Sequence, residues 1–395
     1  MRRSTCSALT GALAAVSLGA QSTYALDEAH YRKAREMIDR SIEYLRSSQD
    51  EATGGWGVRP EGPQFPAITG LVLSGMLMEP DIDETDPNVS RGLDFILSFR
   101  QDDGGVYDRV LASYNTSMCL STLARVNRAD AAAAIGPAQA FLKGIQWTEE
   151  SADHPETGSV DPSNPFYGGV GYGSHSRPDN SNLNMMLQGL HDSGLDCNDE
   201  AFQRALVFLQ RTQMHDDVND MAYADGSSQG GFIYATSPDQ EHLGEGESKA
   251  GMIDEAMPDG STAQRLRAYG SMTYAGFKSY VYANLDRDDE RVQLAYEWIK
   301  RHYTLEENPG VGQQGLYYYY VTFSRALDAW GLPYVETIGE DGVLTPRDWA
   351  NDLIDALAAR QNADGSFVNE QDRWMEGDPA LVTGYALLAL QHAIN

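Results

Sequence analysis

Arg204-Ala205-Leu206-Val207-Phe208-Leu209, with Gln213 one turn further on and Gly230-Gly231-Phe232 beyond it, is the stretch whose reading decides the fold. A large apolar pair one turn before a polar residue reads as the last buried turn of a helix. A glycine-rich loop after it supplies the left-handed backbone that helix ends favour. The same frame recurs along the chain. Arg40-Ser41-Ile42-Glu43-Tyr44-Leu45 leads to Gln49, Ile96-Leu97 to Gln101, Phe141-Leu142 to Gln146 and Ala356-Leu357 to Gln361. A sixth, degenerate copy has Trp298-Ile299 with Tyr303 in the glutamine position. The loops that follow are Gly54-Gly55-Trp56, Gly104-Gly105-Val106, Gly168-Gly169-Val170, Gly230-Gly231-Phe232, Gly315-Leu316-Tyr317 and Gly365-Ser366-Phe367.

Each copy therefore predicts a helix, a glycine loop and a second helix. The first helices are expected near 29–48, 88–100, 132–146, 198–213, 288–303 and 347–361. The second are expected near 66–78, 112–126, 180–193, 268–284, 316–330 and 379–393. The first set is amphipathic, as in Ala34–Leu45, and suits an outer layer. The second is apolar or aromatic nearly all round, as in Leu381–Leu390, and must be buried on most sides. Six outer and six inner helices in alternation predict an all-α fold, an (α/α)6 toroid filling residues 26–395 as one domain. The fourth repeat is lengthened by an acidic insertion at about 214–264, which is either a functional lid or an unstructured loop.

Residues 1–25 read as an export leader. Arg2 and Arg3 precede an apolar run from Ala8 to Ala20, and small residues follow at Thr23-Tyr24-Ala25. That run is too short to span a bilayer, so the expected location is secreted or periplasmic. The formal charge is −29, and the lysines number five, Lys33, Lys143, Lys249, Lys278 and Lys300. Such a surface repels nucleic acid and anionic membranes and suits a salty exterior. Outside the leader the cysteines are Cys119 and Cys197. A disulfide is permitted outside the cytoplasm, yet Cys119 falls in an apolar helix and Cys197 at a loop edge, which favours buried thiols.

The frame Arg204-Ala205-x-x-Phe208-Leu209-x-x-x-Gln213, and Gln49 followed by Gly55-Trp56, resembles the glutamine–tryptophan repeat of squalene and other terpene cyclases. Protein prenyltransferase β subunits are similar in sharing the toroid. The resemblance covers nearly the whole chain after residue 25 and implies the toroid. It also implies an acidic motif, Pro-Asp-x-Asp-Asp-Thr, at the start of an inner helix. Pro178-Asp179-Asn180-Ser181-Asn182 occupies that place, with Ser181 where the proton-donating aspartate would stand. A serine hydroxyl does not protonate an alkene. The prenyltransferases imply zinc held by an Asp, a Cys and a His, but Cys119 has no Asp two residues before it. The last inner helix reads Val382-Thr383-Gly384-Tyr385 where a histidine would be expected. With no phosphate loop or dinucleotide fingerprint either, no cofactor is expected.

Other residues offer chemistry. Thr69, Thr116, Thr273 and Thr383 align at one level of the inner helices, with Asn115 and Asn182 one step away and Tyr319 or Tyr320 in the fifth repeat. They are either a ligand-recognising rim or local caps of helix and loop. Tyr269, Tyr274, Tyr280, Tyr282 and Tyr317–Tyr320 crowd two inner helices, and Tyr167 and Tyr172 a glycine loop. Aromatic walls of this kind hold carbocations or apolar ligands, stack on sugars, or simply fill a core. His175 and Asp179 form a candidate acid/base pair. Asp216, Asp217 and Asp220, beside His215, Asn219 and Asp225, are candidate calcium ligands or a solvated acidic run. Three functions are compatible with these residues: handling of an apolar isoprenoid-like ligand, a non-catalytic ligand- or protein-binding scaffold, and a carbohydrate-active enzyme.

Overall fold

Apolar helix faces need partners, and the second helix of each repeat has no polar face to turn to water. In the computed structural model, which describes residues 26–149, 151, 160–173, 176–257, 259–339 and 341–395, those helices form a closed inner barrel. They are α2 (Pro66–Met76), α4 (Ala112–Leu123), α6 (Asn180–Asp192), α8 (Gly270–Tyr282), α10 (Leu316–Trp330) and α12 (Pro379–Ile394). Each packs on the next, and α12 returns to pack on α2. The outer helices are α1 (Glu28–Ser48), α3 (Pro87–Leu97), α5 (Ala129–Gly144), α7 (Glu200–Thr212), α9 (Glu290–Arg301) and α11 (Trp349–Ala358). The protein is an α/α toroid. The expected leader, residues 1–25, and His175 lie outside the described residues.

The repeated glutamine has a mechanical role. Gln146 Nε2 donates to Gly168 O of its own loop and to Ala201 O in the first turn of α7, both at 2.9 Å. Gln213 does the same to Gly230 O and Arg291 O of α9, and Gln49 to Gly54 O and Asn88 O of α3. Gln361 closes the ring by reaching Gly365 O and Met37 O of α1. One amide thus ties a helix end, its loop and the next outer helix. Tyr303 replaces it in the fifth repeat by donating to Asp352 of α11 at 2.8 Å. Gln101 departs from the pattern and bonds within its own loop, to Phe99 O and Tyr107 O. The glycine after the marker is forced by proximity as well as by φ. At Gly168 (φ +80°) a Cβ would lie 1.9 Å from Arg204 O.

Aspartates start most outer helices: Asp27, Asp86, Asp199, Asp289 and Asp348 each accept first-turn amides, the usual remedy for unpaired N–H groups there. Part of the acidic composition is therefore capping. Cys119 and Cys197 are buried as thiols. Two small antiparallel hairpins depart from the all-helical expectation. They are β1 (Met252–Ala256) with β2 (Thr262–Leu266), and β3 (Tyr334–Ile338) with β4 (Leu344–Asp348). The first lies in the expected insertion, which is folded. Buried Glu255 accepts from Ser227, Ser228 and Gln229 and pins the hairpin to the preceding loop. No helix among the described residues is long and apolar enough to cross a membrane.

Candidate functional site

The inner helices all begin at the same end of the barrel, because each follows a glycine loop on that side. Their first turns enclose a cavity of about 260 Å³, near the lower end of small-molecule sites, roughly 300–1,000 Å³. Six tyrosines line it: Tyr114 of α4, Tyr172 of a glycine loop, Tyr234 of the insertion, Tyr269 before α8, Tyr318 of α10 and Tyr385 of α12. Phe65, Ile68, Leu71, Met118, Met272 and Leu381 fill the wall between them. The phenols meet one another and a few polar neighbours. Tyr114 and Tyr385 hydroxyls lie 3.2 Å apart and those of Tyr172 and Tyr234 3.3 Å apart. Ser181 and Asn184 both donate to the Tyr318 hydroxyl, at 3.4 and 3.2 Å.

One lining residue is a carboxylic acid, Glu376. It sits on a strap, residues 369–378, that crosses the mouth between the sixth glycine loop and α12. Glu376 is 1% exposed. Its Oε1 accepts the Tyr318 amide at 2.8 Å and its Oε2 the Asn369 Nδ2 at 2.6 Å. The carboxyl therefore caps α10, whose own N-cap, Gly315, has no side chain to offer. Burial pushes it up to about 7, and those donors only partly oppose the rise. The two residues before it, Trp374 (φ 62°) and Met375 (φ 67°), are both left-handed without being glycine, a conformation that costs on the order of 1–3 kcal/mol per residue. The strap is held in that shape by Asn369, whose backbone N–H donates to Glu376 O, and by the Trp374 ring. A Cβ on Gly315 would lie 2.9 Å from that ring. Trp374 and Met375 remain 44% and 36% exposed at the cavity mouth.

The residues singled out from sequence divide cleanly. Asn115, Ser181, Tyr172, Tyr269 and Tyr318 line the cavity. The level of threonines does not. Thr69, Thr116, Thr273 and Thr383 are fully buried. Each hydroxyl accepts the backbone N–H of the third loop residue: Trp56, Val106, Phe232 and Phe367, at 2.9–3.0 Å. They stitch loops to helices and are not among the residues that line the cavity. Tyr319 and Tyr320 turn outward and donate to Thr304 O and Leu305 O, and Tyr274 packs against Tyr319 and Phe323. Asp179 lies behind the wall. It caps α6 through the Asn182 amide and accepts Asn182 Nδ2, both at 2.9 Å, and burial raises its carboxyl. Asn182 in turn accepts from Ser113 Oγ.

The acidic run at 216–220 is not assembled for a cation. Asp220 is turned to Arg211, with both oxygens within 2.9 Å of the guanidinium, and Asp216 and Asp217 face solvent. Among the described residues no group of three or more His, Cys, Asp or Glu side chains is placed to hold a metal ion. Sequence reading missed Glu376, Tyr114, Tyr234 and Tyr385. The two helical tyrosines had a usable signal: Tyr114 lies two residues before Thr116 and Tyr385 two after Thr383, on the face those threonines leave to the barrel interior.

No family model matches the sequence, and no curated protein matches it. Solved structures do resemble the fold. The GH76A α-1,6-mannanase of Salegentibacter sp. HEL1_6 aligns with a TM-score of 0.54 at 10% identity, over 91% of this chain and 98% of that one. A novel alpha-amylase from Clostridium perfringens aligns with a TM-score of 0.53 at 12% identity, over 93% and 99%. The type II terpene cyclase MstE from Scytonema aligns with a TM-score of 0.48 at 13% identity, over 92% and 98%. At such identities the likeness to the mannanase and the amylase is one of fold alone, and it agrees with the α/α toroid seen in the helix order.

Proposed function

We propose that this chain is an exported toroid that binds a small apolar, isoprenoid-like ligand in the tyrosine-lined cavity. One observation carries the reading: the wall is mostly aromatic and aliphatic, with Asn115, Ser181 and Ser271 as its neutral polar residues beside the tyrosines, no lysine, arginine or aspartate, and a single acid, Glu376. Burial of apolar ligand surface is worth roughly 25 cal/mol per Å², and the tyrosines supply that surface while Tyr114 pairs its hydroxyl with Tyr385 and Tyr172 with Tyr234. A glycosidase-like reading needs two facing carboxyls; Asp179, the nearest second acid named from sequence, is turned to Asn182.

Calorimetric titration tests the proposal. The purified chain is expected to bind the isoprenoid hydrocarbon β-farnesene saturably and to ignore α-1,6-mannotriose, the ligand recorded for the mannanase. Ala67→Phe, which places a ring at the cavity wall, is expected to remove farnesene binding. Saturable binding of the trisaccharide with none of the hydrocarbon would transfer the chain to the carbohydrate reading. Silence toward both would leave a scaffold.

A further inference from the structure

The same cavity restricts the charge and the head group of its ligand. Six inner helices begin around it, and helix N-termini ordinarily attract anions. Here those ends are already occupied. Ala67 N–H donates to Asn115 Oδ1, Asn182 N–H to Asp179, Ser271 N–H to Asn308 Oδ1 and Tyr318 N–H to Glu376. Ala380 and Leu381 N–H share Asp378, and Ser113 N–H reaches Tyr172 O. Among the described residues four cations lie over lining rings from outside, Arg59 on Phe65, Arg177 and Lys249 on Tyr234, and Arg373 on Trp374. Arg177 and Lys249 are paired with Glu247, and Arg373 is turned to Gln314. An anionic ligand would meet a carboxyl, Glu376, and no cation among the lining residues. A cationic one would lie on the tyrosine rings, but the one carboxyl of the wall is already committed to the Tyr318 amide and Asn369 Nδ2.

Resting on the apolar-ligand reading, we infer that the cavity takes an uncharged molecule, apolar along its body and bearing one hydrogen-bond-accepting oxygen, which Glu376 meets as a protonated donor. Glu376 is suited to it by position, since it is the acid of the wall and its strap forms the mouth. Each of its oxygens already accepts one N–H bond, and a protonated carboxyl has an O–H left to give. The titratable groups that face it are the phenols of Tyr317, Tyr320 and Tyr385, all kept neutral by burial. The strap's other charges point elsewhere: Arg373 to Gln314, Asp372 to the Gly377 amide, Asp378 to the Ala380 and Leu381 amides, and Glu370 to solvent. Burial raises the Glu376 carboxyl to about 7, so the donor is present below neutrality and is lost as pH rises through that value.

Four probes of one chain length test this: the C13 isoprenoid ketone geranylacetone, the hydrocarbon with methylene in place of its carbonyl, and the matching carboxylate and trimethylammonium. Each is titrated calorimetrically into wild type, Glu376→Gln and Glu376→Ala. At pH 6 wild type is expected to prefer the ketone over the hydrocarbon by between about two- and tenfold, the range of one net hydrogen bond. The preference should vanish in Glu376→Ala, persist in Glu376→Gln, whose amide still donates, and shrink by pH 8.5 in wild type only. A capping role alone would move ketone and hydrocarbon together. An unchanged ketone-to-hydrocarbon ratio in Glu376→Ala, or tighter binding of carboxylate or ammonium, overturns the inference while leaving the apolar reading intact. Failure of all four to bind overturns both. Should Glu376→Ala not fold, the pH comparison of wild type with Glu376→Gln decides alone.

Discussion

Thr69, Thr116, Thr273 and Thr383 share a task that their residue type does not announce. Each hydroxyl accepts a loop amide that has no other partner inside the barrel wall. Removing the acceptor strands a buried N–H, which costs about 1–3 kcal/mol. Thr116→Val, nearly isosteric, is therefore expected to lower unfolding free energy in urea by about that amount. Thr116→Ser should recover most of it. An unperturbed Thr116→Val would mean that the Val106 amide finds another partner. The sequence located this level correctly but left its direction open. A hydroxyl in the first turn of an inner helix faces either the bore or the preceding loop, and the spacing is the same for both. Glu376 was illegible for a different reason. It belongs to no repeat position, and an acid in a polar loop looks solvated until the strap folds it inward. Its one cue is the company of Trp374 and Met375, two large apolar residues in an otherwise polar connection.

At the scale of elements, polarity is sorted along the inner helices. The N-terminal ends carry tyrosines and capping acids. The other halves hold a buried charged cluster: Lys278 of α8, Arg325 of α10 and Arg125 just past α4 gather around Asp192 at the end of α6. Lys278 of α8 is the extreme case, fully within the wall, with its ammonium bonded to Gln188 Oε1 and lying over the Tyr282 ring. Burial, with Arg325 adding repulsion, holds it well below the ordinary lysine range. A base whose folded pKa is depressed weakens the fold at every pH below its unfolded value. Lys278→Met keeps the stem, and Gln188 Oε1 retains the Tyr282 hydroxyl as donor. This variant is expected to be as stable as wild type at pH 7 or more stable by about 1–4 kcal/mol, as when buried ions give way to apolar residues. A loss of several kcal/mol in guanidinium unfolding would show instead that the ammonium is needed by its neighbours. The helices themselves were readable from their period and their marker. The hairpins were not: Tyr334-Val335-Glu336-Thr337-Ile338 has strand-forming residues, but a helical repeat on both sides outweighed five of them.

The whole molecule differs from an open array of helix pairs in having no ends. The last helix, α12, packs on α10 and α11 before it and on α1 and α2 at the other end of the chain. The seam is specific: Lys33 pairs with Asp355 at 2.6 Å, Arg40 donates to Asn362 O, and Gln391 reaches Glu79. Within the bore, Gly75 of α2 accommodates Leu387, and Tyr385 meets Tyr114. In an open solenoid, losing a terminal repeat subtracts that repeat and one interface, and the rest still unfolds cooperatively. Here the removal of 379–395 uncovers apolar faces on α2, α10 and α11 at once and abolishes the wall of the cavity. Truncation after Asp378 is therefore expected to replace the single cooperative urea transition with a broad one, and to expose surface that binds a hydrophobic dye. Wild type should show coincident transitions by tryptophan fluorescence and far-ultraviolet circular dichroism. A truncated chain that kept one sharp transition, merely shifted, would mean that the repeats are energetically independent and that closure adds shape without adding cooperativity.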